Sequence, residues 1–142
     1  MIARCTAIAA TLVAVVWANV QATPAKNEGG MVWRLLKIEM LGKQVKTGEI
    51  RLHLDAPNFK FVAGKKVTMS GTYSVRTVAG QADEFDMHST NGAFKGKTLK
   101  GIYRSMNNKL WICFSVGDRP SKFATSAKDG ALTWLSVYEL EK

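Results

Sequence analysis

Residues able to carry chemistry are scarce in this chain. Its 142 residues hold two cysteines, two histidines and 11 acids, against 20 lysines plus arginines. A hydrolase of the nucleophile–base–acid kind needs a histidine beside a serine or cysteine in space, and His53 and His88 are the two on offer. Both alternate onto the polar side of their segments, His53 with Arg51 and Asp55, and His88 with Glu84 and Asp86. Outward, solvated side chains account for that pattern. Glu84, Asp86 and His88 stand two residues apart along one extended segment, which spreads them too far to converge on one metal ion. Neither a metal site nor a cofactor is expected, and the chain reads as non-catalytic. Long apolar runs are also lacking. The one run, Cys5 to Ala18, falls short of the roughly 20 residues of a membrane span, and no second follows it.

That run has the form of a targeting signal. Arg4 sits beside the free amino terminus, the apolar stretch follows, and Val20 and Ala22 supply the small residues of a cleavage site. Residues 1–22 therefore read as a secretory signal peptide, the alternative being a retained amino-terminal anchor. Cys5 opens the apolar run rather than closing it, so it is misplaced for lipid attachment. The expected product is exported to the periplasm or the medium and begins near Thr23. It starts with a flexible lead-in over 23–30, where Pro24 and the Gly29-Gly30 pair break any periodicity, and continues as a single domain over 31–142.

Losing the signal removes Cys5 and leaves Cys113 as the one cysteine, which excludes an intramolecular disulfide. Cys113 lies among Trp111, Ile112 and Phe114 with no base nearby in sequence, so it reads as a packed thiol rather than a nucleophile. The core has to stabilise the domain unaided, and a chain of about 120 residues buries close to two thirds of its unfolded surface.

What is abundant is positive charge. Without Arg4, 19 lysines plus arginines face 11 acids, a net charge of +8. A basic exported domain is drawn to anionic polymers, lipid head groups or acidic partners, and salt weakens the attraction. The lysines are scattered, Lys43, Lys46, Lys60, Lys65, Lys66, Lys95, Lys97, Lys100, Lys122 and Lys128, with no long run. Lys95, Lys97 and Lys100 are the candidates for an anion-binding face.

The hydropathy period is two. Val67, Met69, Gly71, Tyr73 and Val75 alternate with Thr68, Ser70, Thr72, Ser74 and Arg76, which is the pattern of a half-buried strand. Ile50 to Asp55 and Leu110 to Ser115 alternate likewise. Val32–Leu41, Phe59–Val62, Glu84–Ser89, Thr98–Ser105 and Leu132–Leu140 complete a set of about eight strands. In the first of these Val32, Leu35, Leu36 and Met40 also fit a helical spacing, so strand and helix compete there. Asp55-Ala56-Pro57-Asn58, Gly64, Gly80, Asn91-Gly92, Asn107-Asn108 and Asp129-Gly130 supply turn chemistry between the strands. Such short links favour antiparallel neighbours. The predicted fold is all-β, an antiparallel meander that closes into a barrel and so removes its edges.

Gly30-x-x-Trp33, Phe85-Asp86-Met87, Lys100-Gly101-Ile102-Tyr103, Leu110-Trp111-Ile112-Cys113-Phe114 and Arg119-Pro120-x-x-Phe123 occur in that order. Together they resemble a family of small exported domains abundant in planctomycete bacteria, over nearly all of the chain that follows the signal. The resemblance implies a compact β-rich domain and no particular reaction. A looser similarity is to lipocalins, whose first strand begins near a glycine and tryptophan and whose late arginine packs over that tryptophan. It implies a lipocalin-like barrel in which Trp33 and Arg119 form a closing pair, although two residues rather than one separate Gly30 from Trp33.

Gly92-Ala93-Phe94-Lys95-Gly96-Lys97-Thr98 superficially resembles a phosphate-binding loop. Its glycines are one residue too close, and it leads into a strand where that motif needs a helix. Nucleic acid is not an expected partner, because export removes the opportunity. Tyr73, Phe85, Tyr103 and Phe114 also fall on the apolar side, where they fill a barrel rather than stack bases. Trp134 shares a face with Leu132 and Tyr138 and reads as core, whereas Trp111 faces outward and is a candidate contact. Two modes of action follow. One is a small apolar or amphipathic ligand inside the barrel, lined by Gly71, Tyr73, Gly101 and Tyr103. The other is an anionic polymer or envelope component bound on the outside by Lys95, Lys97, Lys100 and Trp111. A structural or assembly role at the cell surface is the alternative to both, and an enzyme of undetected mechanism is the remaining one.

Overall fold

A computed structural model describes residues 30–128 and 133–142. The expected signal peptide over 1–22, all but the last residue of the expected lead-in over 23–30 and the Asp129-Gly130 turn lie outside the described residues. The elements are all strands: β1 (Met31–Met40), β2 (Lys43–Val45), β3 (Ile50–Asp55), β4 (Asn58–Ala63), β5 (Lys66–Arg76), β6 (Asp83–Ser89), β7 (Thr98–Met106), β8 (Lys109–Ser115) and β9 (Thr133–Leu140). Neighbours pair antiparallel in the order β2-β1-β3-β4-β5-β6-β7-β8-β9, and β1 also pairs with β9. Eight strands thus close into a barrel, and β2 is an extra strand on the end of β1. The Asn107-Asn108 turn joins β7 to β8 with φ of 54° and 60°, the left-handed pair that a two-residue hairpin requires.

The competition between strand and helix at β1 resolves as a strand with a bulge. Against β9, Trp33 pairs with Leu140 and Leu35 with Tyr138, but the next partners are Lys37 with Val137 and Met40 with Trp134. The extra residue, Leu36, is left exposed. Before it the odd-numbered residues face inward; after it Ile38 and Met40 do, opposite Ser136 and Trp134. A one-residue insertion reverses strand parity, and that reversal produced the helix-like spacing. The short β2 carries no hydropathy signal, because Lys43-Gln44-Val45 is exposed throughout and does not alternate.

The barrel interior is filled by apolar side chains, the reverse of the polar lumen of a membrane-spanning barrel. Among the described residues, no helix is long and apolar enough to cross a membrane. Trp33, Leu52, Leu54, Phe59, Phe85, Met87, Leu99, Leu110, Ile112, Phe114 and Tyr138 form one buried cluster. A chain of rings runs through it: Tyr73 on Phe85 (centroids 5.3 Å), Phe85 on Phe114 (5.8 Å), Phe114 on Trp134 (5.9 Å), and Phe94 on Trp134 (5.7 Å). Phe94 comes from the β6–β7 loop and so caps one end of the barrel.

A second layer lies outside. The segment 116–128, between β8 and β9, crosses the outer wall as a strap. Under it Ile102, Cys113 and Leu135 form a smaller apolar cluster that Phe123 and Ala82 complete. Those three wall residues lie in one row across β7, β8 and β9, and the next residue in the row is Glu39 of β1.

Candidate functional site

Arg119 anchors the strap at one end. Its guanidinium forks onto Asp86, with Nη1 and Nη2 donating to Oδ1 and Oδ2 at 2.5 and 3.0 Å. Nη1 also donates to the carbonyl of Gly101 at 2.8 Å, and Nε lies 3.3 Å from Glu84. The hydrogen bond to Asp86 raises the Arg119 pKa above its ordinary value, burial opposes it, and the charges of Asp86 and Glu84 add to the rise. Thr125 anchors the other end, donating from its backbone and its hydroxyl to Glu39 at 3.2 and 2.7 Å and accepting from Gly42 at 3.0 Å. Phe123 and Ala124 press on the wall between the anchors, and the Cys113 sulfur lies 3.9 Å from the Ala124 carbonyl.

The expected Trp33–Arg119 pair is therefore replaced. Trp33 is in the interior cluster on β1, whereas Arg119 lies outside the wall on β6 and β7. Two carboxylates and a carbonyl satisfy its donors there, which a stacked indole face could not do. Among the described residues, a guanidinium–aromatic contact is made instead by Arg104, 4.8 Å from the Trp111 ring and 5.1 Å from the Phe123 ring. Trp111 does face outward, across from Arg104 and Val137, and is half-buried beneath that guanidinium. Around Arg119 the outer wall is grooved. A cavity of about 750 Å³ is lined by Gly80, Ala82, Glu84, Ile102, Arg119 and Pro120, and one of about 410 Å³ lies on the other side of the same arginine. Its own acids already neutralise Arg119, so the larger groove offers no bare cation, while the smaller one is lined by both Lys122 and Asp118.

The glycines expected to make room inside the barrel do the opposite. A Cβ on Gly71 would stand 1.9 Å from the carbonyl oxygen of His88. One on Gly101 would stand 2.8 Å from the Phe114 ring and 2.9 Å from the carbonyl oxygen of Cys113. Both mark places where the wall folds in against itself, a use of glycine common at barrel bends. Tyr73 and Tyr103 flank Phe85 within the packed ring system. Burial raises the pKa of both, that of Tyr103 to about 12, with Asp83 adding to Tyr103 and Asp55 to Tyr73.

The histidines face outward. His88 Nδ1 lies 3.2 Å from the Thr98 hydroxyl. Burial lowers the pKa of His53, Lys60 directly across from it and Arg51 lower it further, and Glu141 opposes them. Among the described residues, no group of three or more His, Cys, Asp or Glu side chains could hold a metal ion.

The lysines, scattered in sequence, are not scattered in space. Strand direction alternates round the meander, so the β1–β2, β4–β5 and β6–β7 turns open at one end, here the upper rim, together with the links from β2 to β3 and from β8 to β9. Those turns and their flanks hold Lys43, Lys46, Lys65, Lys66, Lys95 and Lys97, all exposed. Three of the described acids share that end: Glu49 pairs with Arg51, Glu39 accepts from Thr125, and Asp118, just past the end of β8, is exposed and lines the same groove as Lys122. Asp55, Asp83 and Glu141 are at the lower end, beside Lys109 and Arg76. Lys95 and Lys97 thus belong to a larger cluster, while Lys100 is separate, on the outer wall opposite Asp86. Lys43, Lys46, Lys65 and Lys66 had no motif to betray them. Their signal was positional, because alternate turns of an antiparallel meander share an end.

No model of a protein family matches the chain, and comparisons with curated proteins and with solved structures likewise find no match.

Proposed function

We propose that this chain is an exported, non-catalytic barrel that acts through its outside, binding an anionic polymer or other anionic envelope component on the lysine-bearing upper rim. The observation that carries this reading is the gathering of six exposed lysines at one end, against three described acids, of which Glu49 and Glu39 are occupied by Arg51 and Thr125. Uncompensated like charges on one face create a field that collects anions and fades with salt. The packed ring system and the close approaches at Gly71 and Gly101 favour the outside over an interior ligand. Export rests on the form of residues 1–22, and membership of the planctomycete exported domains rests on the five motifs.

The test is retention on immobilised dextran sulfate. A variant with Lys43, Lys65, Lys66, Lys95 and Lys97 changed to Gln should elute at much lower salt than one with equal charge removed at Lys37, Lys60, Lys100, Lys109 and Lys122. Equal elution of the two would overturn the rim reading.

A further inference from the structure

We infer that the upper rim docks on the surface of an anionic lipid bilayer, with Leu41, Val45 and Val67 entering the head-group boundary. This deepens the rim reading above and rests on it. Of the large apolar side chains exposed on the described surface, Leu41, Val45 and Val67 (38, 39 and 44%) stand at this rim, while Leu36 is on the β1 bulge and Met106 at the lower end. A soluble polyanion rewards charge alone. A bilayer surface rewards lysines and apolar tips on the same face.

Leu41 is the telling residue. It opens the two-residue Leu41-Gly42 turn between β1 and β2, with φ of 54° followed by 74°. Turns of that shape favour Asn or Gly first, and a bulky side chain in the left-handed region is strained. The hairpin therefore holds an exposed leucine where backbone preference and solvent both disfavour it. Such an outlier points to a contact made elsewhere.

The rim is also stiff. Asn91 Oδ1 accepts from the Ser70 N–H at 2.7 Å, and the backbone and hydroxyl of Thr90 donate to the Ser70 carbonyl at 2.9 and 3.1 Å. These bonds tie the β6–β7 loop to β5, bringing the segment that carries Lys95 and Lys97 alongside the strand that starts at Lys66. A preformed platform gives up little conformational entropy on docking.

The test is co-sedimentation of the signal-free chain with vesicles of phosphatidylcholine, with and without phosphatidylglycerol, beside retention on dextran sulfate. The comparison variant carries Leu41→Asn and Val67→Thr, each suited to its local backbone, and circular dichroism checks its fold. The expected result is binding to the phosphatidylglycerol vesicles alone, lowered about tenfold by the two substitutions, with dextran sulfate retention unchanged. Retention on dextran sulfate without vesicle binding, or vesicle binding that the two substitutions leave unchanged, would overturn the bilayer and leave the rim reading standing. Binding to neither would overturn both.

Discussion

Replacing Arg119 with Met should loosen the strap, and the size of the effect follows from the contacts. The side chain is 24% exposed and its partners Glu84 and Asp86 are 15 and 32% exposed, so the site is neither open water nor deep interior. Exposed ion pairs contribute about 0–1 kcal/mol, and removing one partner of a buried pair costs about 3–5. A value near 2 kcal/mol lies between these limits. If the strap opens locally, that loss raises its open population roughly thirtyfold, at 1.4 kcal/mol per tenfold. Cys113 reports the opening directly. Its thiol is fully buried beneath the strap and is the one cysteine in a chain starting at Thr23. Reaction with a disulfide reagent should therefore accelerate by a similar factor. An Asp86→Asn cycle separates the pair from the rest, since the double variant should react little faster than either single one. A thiol rate in Arg119→Met within about threefold of wild type would refute the anchoring role.

Adding a methyl at Gly71 or Gly101 should destabilise the barrel, by about 1–3 kcal/mol for Gly101→Ala and by more for Gly71→Ala. The obstacle at Gly71 is a backbone carbonyl at 1.9 Å, far closer than the ring edge and carbonyls met at 2.8–3.0 Å from Gly101, and urea titration checks the order. Phe123→Ala should cost about 2 kcal/mol in the same assay, less than a fully buried phenylalanine because the ring is half covered. Burial raises the pKa of Tyr73, Tyr103 and Tyr138 alike, so phenolate absorbance should stay flat through pH 10. The stability these groups contribute is fully present below pH 10 and lost as pH climbs toward about 12. His53 works in the other direction. Its lowered folded value makes the unfolded chain take up the proton first, so its contribution is complete above pH 6.5 and declines as pH falls below it. An NMR titration should give His53 a midpoint under 6.5, and a higher midpoint would contradict the assigned surroundings.

The barrel was legible because it depends on local alternation. Met69 to Val75 and Leu110 to Phe114 announce one buried face each, Val67 being left exposed beyond the β4–β5 register shift, and turn residues at short spacing leave antiparallel closure as the economical arrangement. Tyr73, Phe85, Tyr103, Phe114 and Trp134 face inward as their parity implies. The strap was visible as a motif, Arg119-Pro120-x-x-Phe123, yet its target was misjudged. Nothing local to Arg119 indicates that Asp86, 33 residues earlier, will lie against it; that distance closes through the registers of β6 with β7 and of β7 with β8. In one dimension a glycine's missing side chain looks like room, whereas in the barrel the neighbouring strand takes that room at Gly71 and Gly101. The lysine rim needed strand direction added to strand position.

The central claim is that this barrel meets its partner with its lysine-bearing end rather than its interior. Backbone amide shifts recorded while dextran sulfate is titrated into the isotopically labelled, signal-free chain test it residue by residue. The predicted result is perturbation confined to 41–46, 64–67 and 92–97, fading as salt is added. Perturbation centred on Met87, Leu99 and Phe114 inside the barrel, or on Asp55 and Asp83 at the lower end, would contradict it.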